Sequence, residues 1–469
     1  EVIKGPAGIL YGSNAMGGVV NFITKKQTKE GFAGSARVSY GSYNTQKYMV
    51  NGGFRKNGFY AFASVNRDVT DGHRDSSEFE INNVFIKTGY NFNKHVEVIA
   101  DYTLAKFNSV DPGRDFDASD AFRAEILRGK TSLTIKNKFN NVDGGLYLYY
   151  NFGEHELSDG WFSNDENYGM SFYQGITLPW NTLFTVGADL KTFGGRGNAA
   201  WRPDAANIWY TVNEKSIFAV VRHNFFESFN ISYGVRAENN SLYGNELVPQ
   251  GGISWDATPT TTLKASVSKG FRNPTIMELY LFAPNPSLEP ERMMNYELNL
   301  SRLFLQGKLK TDLSIFLMEG NNIIQRRPND SPPPMMKSYN VGEFANKGFE
   351  MELNYLHDNS LSSSISYAYL DTKDAILAAP AHQVYAGLNY KWNKLLFALQ
   401  GHYIGGLYID LNNNITENYF LLNSSLKYKA LSFAEVFVSG KNLLNQKYQI
   451  NYGYPMPGLH FMTGVNFNF

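Results

Sequence analysis

Carboxylates gather in two polar stretches: Asp68, Asp71, Asp75 and Glu78 in one, and Asp111, Asp115, Asp117 and Asp120 in the next. Oxygen ligands on flexible chain suit a hard cation such as Ca²⁺, so Asp111, Asp115 and Asp117 are the metal candidates, although their spacing follows no fixed calcium-loop pattern. A second set pairs aromatic faces with guanidinium groups. It comprises Trp161 and Phe162, then Trp201, Arg202, Trp209 and Tyr210, then Tyr280 and Phe282, then Tyr403 and Tyr408, then Tyr448, Tyr452 and Tyr454, with Arg114, Arg196, Arg272, Arg326 and Arg327. Flat apolar rings and forked cations are what an organic ligand with anionic oxygens requires. Catalysis has no comparable signature: no G-x-x-x-x-G-K-[ST] phosphate loop, no H-E-x-x-H pair and no G-x-S-x-G elbow occurs, and the eight His stand singly. Cys is absent, which removes a thiolate metal site, a cysteine nucleophile and a disulfide scaffold together. An enzyme built on His155, His223 or His402 is the weakest reading, and the chain is expected to need no cofactor beyond a loop cation.

The elements that must position these groups are strands. After residue 32 the sequence alternates with period two: Met294, Tyr296, Leu298 and Leu300 share one face, and Asn295, Glu297, Asn299 and Ser301 the other. From Ser35 to Phe469 we count about twenty-two such segments, each of roughly nine to eleven residues, the length a tilted strand needs to cross a bilayer. Connections sort by parity. Turns such as Lys56-Asn57-Gly58 and His357-Asp358-Asn359-Ser360 alternate with long Gly/Pro/Asp/Asn-rich stretches, including 68–80, 107–130, 153–167, 192–213, 271–290, 319–344 and 405–417. That asymmetry predicts an all-β fold, a 22-stranded antiparallel transmembrane β-barrel with turns on one rim and loops on the other. Closure is required because lipid offers nothing to an unpaired strand edge. No apolar run approaches a membrane-spanning helix. Equal numbers of Lys+Arg and Asp+Glu, 43 each, leave no basic field for nucleic acid. Residues 1–30 alternate poorly and carry Gly5, Gly8, Gly12, Gly17 and Gly18, so they read as a separate piece before the barrel of residues 31–469. The start at Glu1, with neither Met nor a basic leader, reads as a fragment of a longer precursor.

The stretch from Glu1-Val2-Ile3-Lys4-Gly5-Pro6 through Tyr11-Gly12-Ser13-Asn14-Ala15-Met16-Gly17-Gly18-Val19-Val20-Asn21 closely resembles the end of the plug domain in TonB-dependent outer-membrane receptors. Lys269-Gly270-Phe271-Arg272-Asn273-Pro274, Asn285-Pro286-Ser287-Leu288-Glu289-Pro290 and Asn295-Tyr296-Glu297-Leu298 are similar to that family's strand-loop-strand signature, and Gly440-Lys441-Asn442-Leu443-Leu444-Asn445 with terminal Phe469 to its barrel C-terminus.

The resemblance implies a bacterial outer-membrane location, a plug whose C-terminal part is residues 1–30, and TonB-dependent import of a scarce chelated nutrient, foremost a ferric siderophore or other iron complex. A cobalamin or corrinoid receptor is the alternative within the family; a passive porin or a structural or adhesion barrel is the alternative outside it. Implied partners are outer-membrane lipid, the chelate, the inner-membrane TonB complex through a segment ahead of Glu1, and a surface lipoprotein, with no nucleic acid. One plug loop of the family reaches the ligand, which makes Tyr11, Ser13, Asn14, Ala15 and Met16 candidates beside the loop aromatics and arginines. No His lies between Pro274 and Asn285, where the family's haem receptors carry one, so haem is disfavoured. Calcium in the acidic loops would favour a corrinoid.

Overall fold

Glu297 and Leu298 are neighbours in sequence and opposites in environment. Leu298 is 61% exposed beside Ile315 on the outside of a sheet, whereas Glu297 points the other way, toward residues 1–20. The same inversion runs round the molecule: Ile217, Tyr233 and Val50 are exposed, while Glu214, Ser216, Arg236, Glu238 and Asn295 are buried. Apolar side chains outside and polar ones within is the pattern of a barrel solvated by lipid.

In the computed structural model this sheet closes on itself. Twenty-two antiparallel strands follow one another from Gly31–Gly41 to His460–Asn468, and the last pairs with the first through Met462↔Gly41, Val465↔Val38 and Asn468↔Ser35. The number equals that counted from alternation. The structure describes residues 1–117, 121–198, 208–281, 283–329 and 335–469. Among these, no helix is long and apolar enough to cross a membrane.

Strand lengths differ from expectation, running from 8 residues at Ala434–Lys441 to 21 at Met336–Leu356. Much of what composition marks as loop is ladder. Strands Val142–Leu157 and Phe162–Leu178 pair as far as Glu156↔Phe162, so only a short tip remains of the loop expected over 153–167. Past the hydrocarbon a strand has water on both faces, and alternation is no longer required to keep it paired. The opposite rim follows the prediction: at Asn57 (φ 51°) and Gly58 (φ 85°) a two-residue turn has the left-handed backbone that tight hairpins need.

Composition finds a structural use in cross-strand glycine–aromatic pairs. Gly89 faces Tyr60, Gly129 faces Phe152, Gly187 faces Phe218, Gly348 faces Phe316 and Gly464 faces Phe437 as direct register partners. The ring lies over the space a side chain would take: a Cβ at Gly129 would stand 2.1 Å from the Phe152 ring. Gly129→Ala is therefore expected to cost about 1–3 kcal/mol through overpacking, read as a lower unfolding temperature in detergent. Phe152→Leu in the same chain should restore most of the loss, and no rescue would rule out the ring as the cause.

Residues 1–30 contribute no strand to the wall. Val2–Lys4 and Gly18–Val20 form their own two-stranded sheet, and a short helix, Gly8–Tyr11, packs on three wall strands.

Candidate ligand cavity

Two clusters of buried groups, beside a more exposed Lys4–Glu350 pair, fasten the inner segment to the wall. At the first, Ile9 is 2% exposed among Phe218, Val248 and Phe271, and its carbonyl accepts from Arg236 Nη1 at 3.3 Å. The same guanidinium donates to Asp189 (2.5 Å) and Glu238 (2.9 Å). Gly12 turns beside this group with φ 69°, and any Cβ there would sit 2.9 Å from Arg236 Nη2 and 3.0 Å from Glu238 Oε2. Only glycine meets both demands. At the second, Lys26 pairs with Glu97 (2.8 Å), which also accepts from the buried Tyr60 hydroxyl (3.0 Å), and Lys87 donates to Thr24.

Held at the first point, Ser13 and Asn14 reach the floor of a cavity of about 550 Å³. Asn14 takes a left-handed backbone (φ 73°) and donates its N–H to the Phe271 carbonyl (3.1 Å), while Ser13 Oγ accepts from the Asn273 N–H (3.2 Å). Trp161 enters from the tip of the Val142–Leu157/Phe162–Leu178 hairpin, its N–H held by Asp159 (2.9 Å), and clusters with Val212, Ile276 and Leu281. Tyr210 and Tyr280 stack behind it at 4.4 Å with planes 3° apart. The helix Ile276–Tyr280 starts on a capping box between Thr275 and Glu278, and Arg272 ties Glu278 (3.1 Å) to Glu291 (2.6 Å). Above the strands, burial beside Tyr280 and the Glu278 carboxylate raises the Tyr243 hydroxyl above its usual pKa, keeping it neutral.

The polar lining is mostly self-paired. Lys191 meets Glu214 at 2.8 Å, and Arg128 meets Asp165 at 2.5 Å. His155 Nδ1 lies 3.1 Å from Ser163 Oγ and 3.9 Å from Asp165 Oδ2. A catalytic relay needs the nucleophile and the carboxylate on opposite ring nitrogens, and here both share one, so this trio does not assemble a triad.

Of the residues singled out from sequence, the cavity gathers Ser13, Asn14 and Trp161, with Tyr280 and Tyr210 packed behind, while Arg196 borders it with its side chain at the outward parity of Gly194. Others lie elsewhere. Trp209 has the parity opposite to buried Val212, Glu214 and Phe218, is 41% exposed and lies against Gly194, so it belongs to the outer face. Tyr408 stands between buried Leu407 and Ile409 and likewise points away from their cluster with Ile404 and Tyr419, which Tyr448 and Tyr452 join. Tyr454 sits under the Arg74 guanidinium, Tyr11 is 45% exposed, Met16 packs on Gly270, and Arg326 is exposed along the Leu309–Pro328 strand. Trp201, Arg202, Phe282 and Asp120 lie outside the described residues. No three His, Asp or Glu among the described residues come together to hold a metal, and Asp111 instead accepts from the Gly113 N–H (2.9 Å), so the calcium expectation rests on sequence alone.

Sequence reasoning missed Asp165, Lys191, Glu214, Arg236 and Asn273. Their main partners come from other staves of the barrel, one to three strands away, and no local spacing marks them. The one available signal was Asn273, inside the quoted Phe271-Arg272-Asn273-Pro274 stretch.

A family model described as the β-barrel of TonB-dependent receptor-like proteins matches residues 26–443. The vitamin B12 transporter BtuB of Photobacterium profundum is 26% identical over 396 residues, which cover 80% of this chain and 62% of that protein's own length. The iron-regulated outer membrane virulence protein of Vibrio cholerae is 23% identical over 531 residues, covering 100% of this chain and 79% of that protein. Solved structures also share the fold. The siderophore receptor PirA from Pseudomonas aeruginosa has a TM-score of 0.83 at 17% identity, over 100% of this chain and 86% of that one. The copper transporter OprC has 0.85 at 16%, over 100% and 85%.

Proposed function

The chain belongs to the TonB-dependent receptors of the outer membrane, and from that premise we propose that it imports a scarce chelated nutrient, foremost a ferric siderophore or other iron complex. Residues 1–30 are, in this reading, the C-terminal end of the plug, and the TonB complex supplies the energy. The observation that carries the proposal is the cavity where Ser13 and Asn14 of the inner segment meet Trp161 of an outer hairpin. A ligand seated there touches both the fixed wall and the piece that must move, so occupancy on the outside is felt by the inner segment. A corrinoid is the second reading, favoured by the 26% identity to a vitamin B12 transporter over most of the chain.

Deleting the protein should impair growth when a chelate it binds is the sole iron or corrinoid source, and restoring the full-length receptor should recover it. A passive porin predicts instead steady ion conductance in a planar bilayer, and an adhesion barrel predicts no growth defect. Trp161→Ala should weaken ligand binding by about 2 kcal/mol, as for a buried aromatic anchor, with Trp161→Phe retaining most affinity. Calorimetry on the two variants checks this, and equal affinities in wild type and Trp161→Ala would remove Trp161 from the site.

A further inference from the structure

Resting on the import reading above, we infer that the cavity selects an uncharged, amide- or hydroxamate-bearing chelate and rejects a polyanionic one such as a ferric tris-catecholate. On the inward-facing positions of the described lining stand two carboxylates, Asp165 and Glu214, and one cation, Lys191; Glu166 and Arg196 share the outward parity of Gly194, which Trp209 covers. Lys191 is committed to Glu214, whose residue is 6% exposed and which also accepts from Asn240 (3.0 Å) and Asn273 (3.2 Å). Arg128, the nearest further cation, is committed to Asp165.

A trianion entering this space can recruit either cation only by stripping its carboxylate partner. For Lys191 that would leave Glu214 buried and uncompensated, which is far costlier than the new contact is favourable. Arg196, whose Nε donates to Asn164 (3.2 Å), has the outward parity of Gly194 and does not enter the ligand space. The described site therefore presents no net positive field to an anion. Specificity can be built from unfavourable charge as well as from fit.

What the cavity does present is neutral. Asn14, Asn273 and Ser163 offer amide and hydroxyl groups, and the Asn167 Oδ1 atom is buried there without a hydrogen-bond partner, an acceptor suited to a ligand N–H. Trp161, Ile276 and Leu281 supply the apolar side.

The test is calorimetry on the detergent-purified intact protein with three probes: a neutral ferric trihydroxamate, cyanocobalamin and a ferric tris-catecholate trianion. At least one neutral probe is expected to bind about tenfold or more tighter than the trianion. Asp165→Asn frees the Arg128 guanidinium and should raise trianion affinity severalfold, by more than it alters the affinity of either neutral probe. Arg128→Gln, which leaves Asp165 unpaired, should lower it further. A trianion that binds as tightly as both neutral probes, or a flat response to both substitutions, overturns the selectivity argument and leaves import standing. Failure of all three probes on folded protein overturns the import reading with it.

Discussion

Arg236→Ala is expected to loosen the inner segment from the barrel while the barrel itself stays closed. The side chain is 6% exposed and holds three acceptors at once: Asp189, Glu238 and the Ile9 carbonyl. Removing it leaves Glu238, with a 2% exposed side chain, and Asp189 facing each other with no cation between them. Breaking one side of a buried ion pair in this way costs about 3–5 kcal/mol. The wall's ladder hydrogen bonds do not pass through this side chain, whereas the Ile9 carbonyl loses its donor and two uncompensated carboxylates are left beside Gly8–Tyr11. Amide hydrogens in that helix and its flanks, including the Ala7 N–H bonded to the Ala15 carbonyl at 3.0 Å, should exchange much faster. Arg236→Lys would restore charge but cannot fork to three partners, so it should recover only part of the protection. Arg236→Met combined with Asp189→Asn and Glu238→Gln removes the charges together and should recover more than Arg236→Ala does. Unchanged exchange from residue 7 to residue 15 in Arg236→Ala would show that Ile9 packing and the bonds of Ser13 and Asn14 to the wall hold the segment without the guanidinium.

The architecture was legible because lipid imposes one rule on every strand. Glu297 and Leu298 obey it, and so does each neighbour the barrel brings alongside. Where lipid ends the rule lapses. Asn164, Asp165, Glu166 and Asn167 are four consecutive polar residues, yet they are ladder, paired on one side with Asn151–Glu154 and on the other with Phe193–Arg196. Composition alone marks them as loop, and with them went half of the cavity's polar wall. Ser13 and Asn14 were legible through a motif, because a tight glycine-rich turn leaves its residues few alternatives. Glu214 and Arg236 were not. Each gains its meaning from a partner on another stave, Lys191 on the adjacent one for Glu214 and Asp189 two staves away for Arg236, and only register says which stave residues meet. Trp209 shows the reverse error: an aromatic beside Tyr210 looks like a ligand platform until parity assigns the two rings to opposite faces.

The same parity makes the strongest prediction about membrane assembly. Leu298 lies near the middle of the strand Glu291–Phe304, is 61% exposed, and pairs with Ala265 and the exposed Ile315 on the outer surface. Leu298→Arg places a guanidinium against hydrocarbon, which costs about 2–4 kcal/mol at the bilayer midplane of such barrels. Leu298→Phe keeps the apolar face and should be close to neutral. The readout is the folded fraction in lipid vesicles, followed by the mobility difference between unheated and heated samples, across a urea titration. The arginine variant should unfold at distinctly lower urea than wild type in thick bilayers and recover in thin ones, where the side chain reaches the interface. Equal midpoints for Leu298→Arg and Leu298→Phe in every bilayer would mean that this face does not contact lipid, and the assignment of inside and outside would have to be reversed.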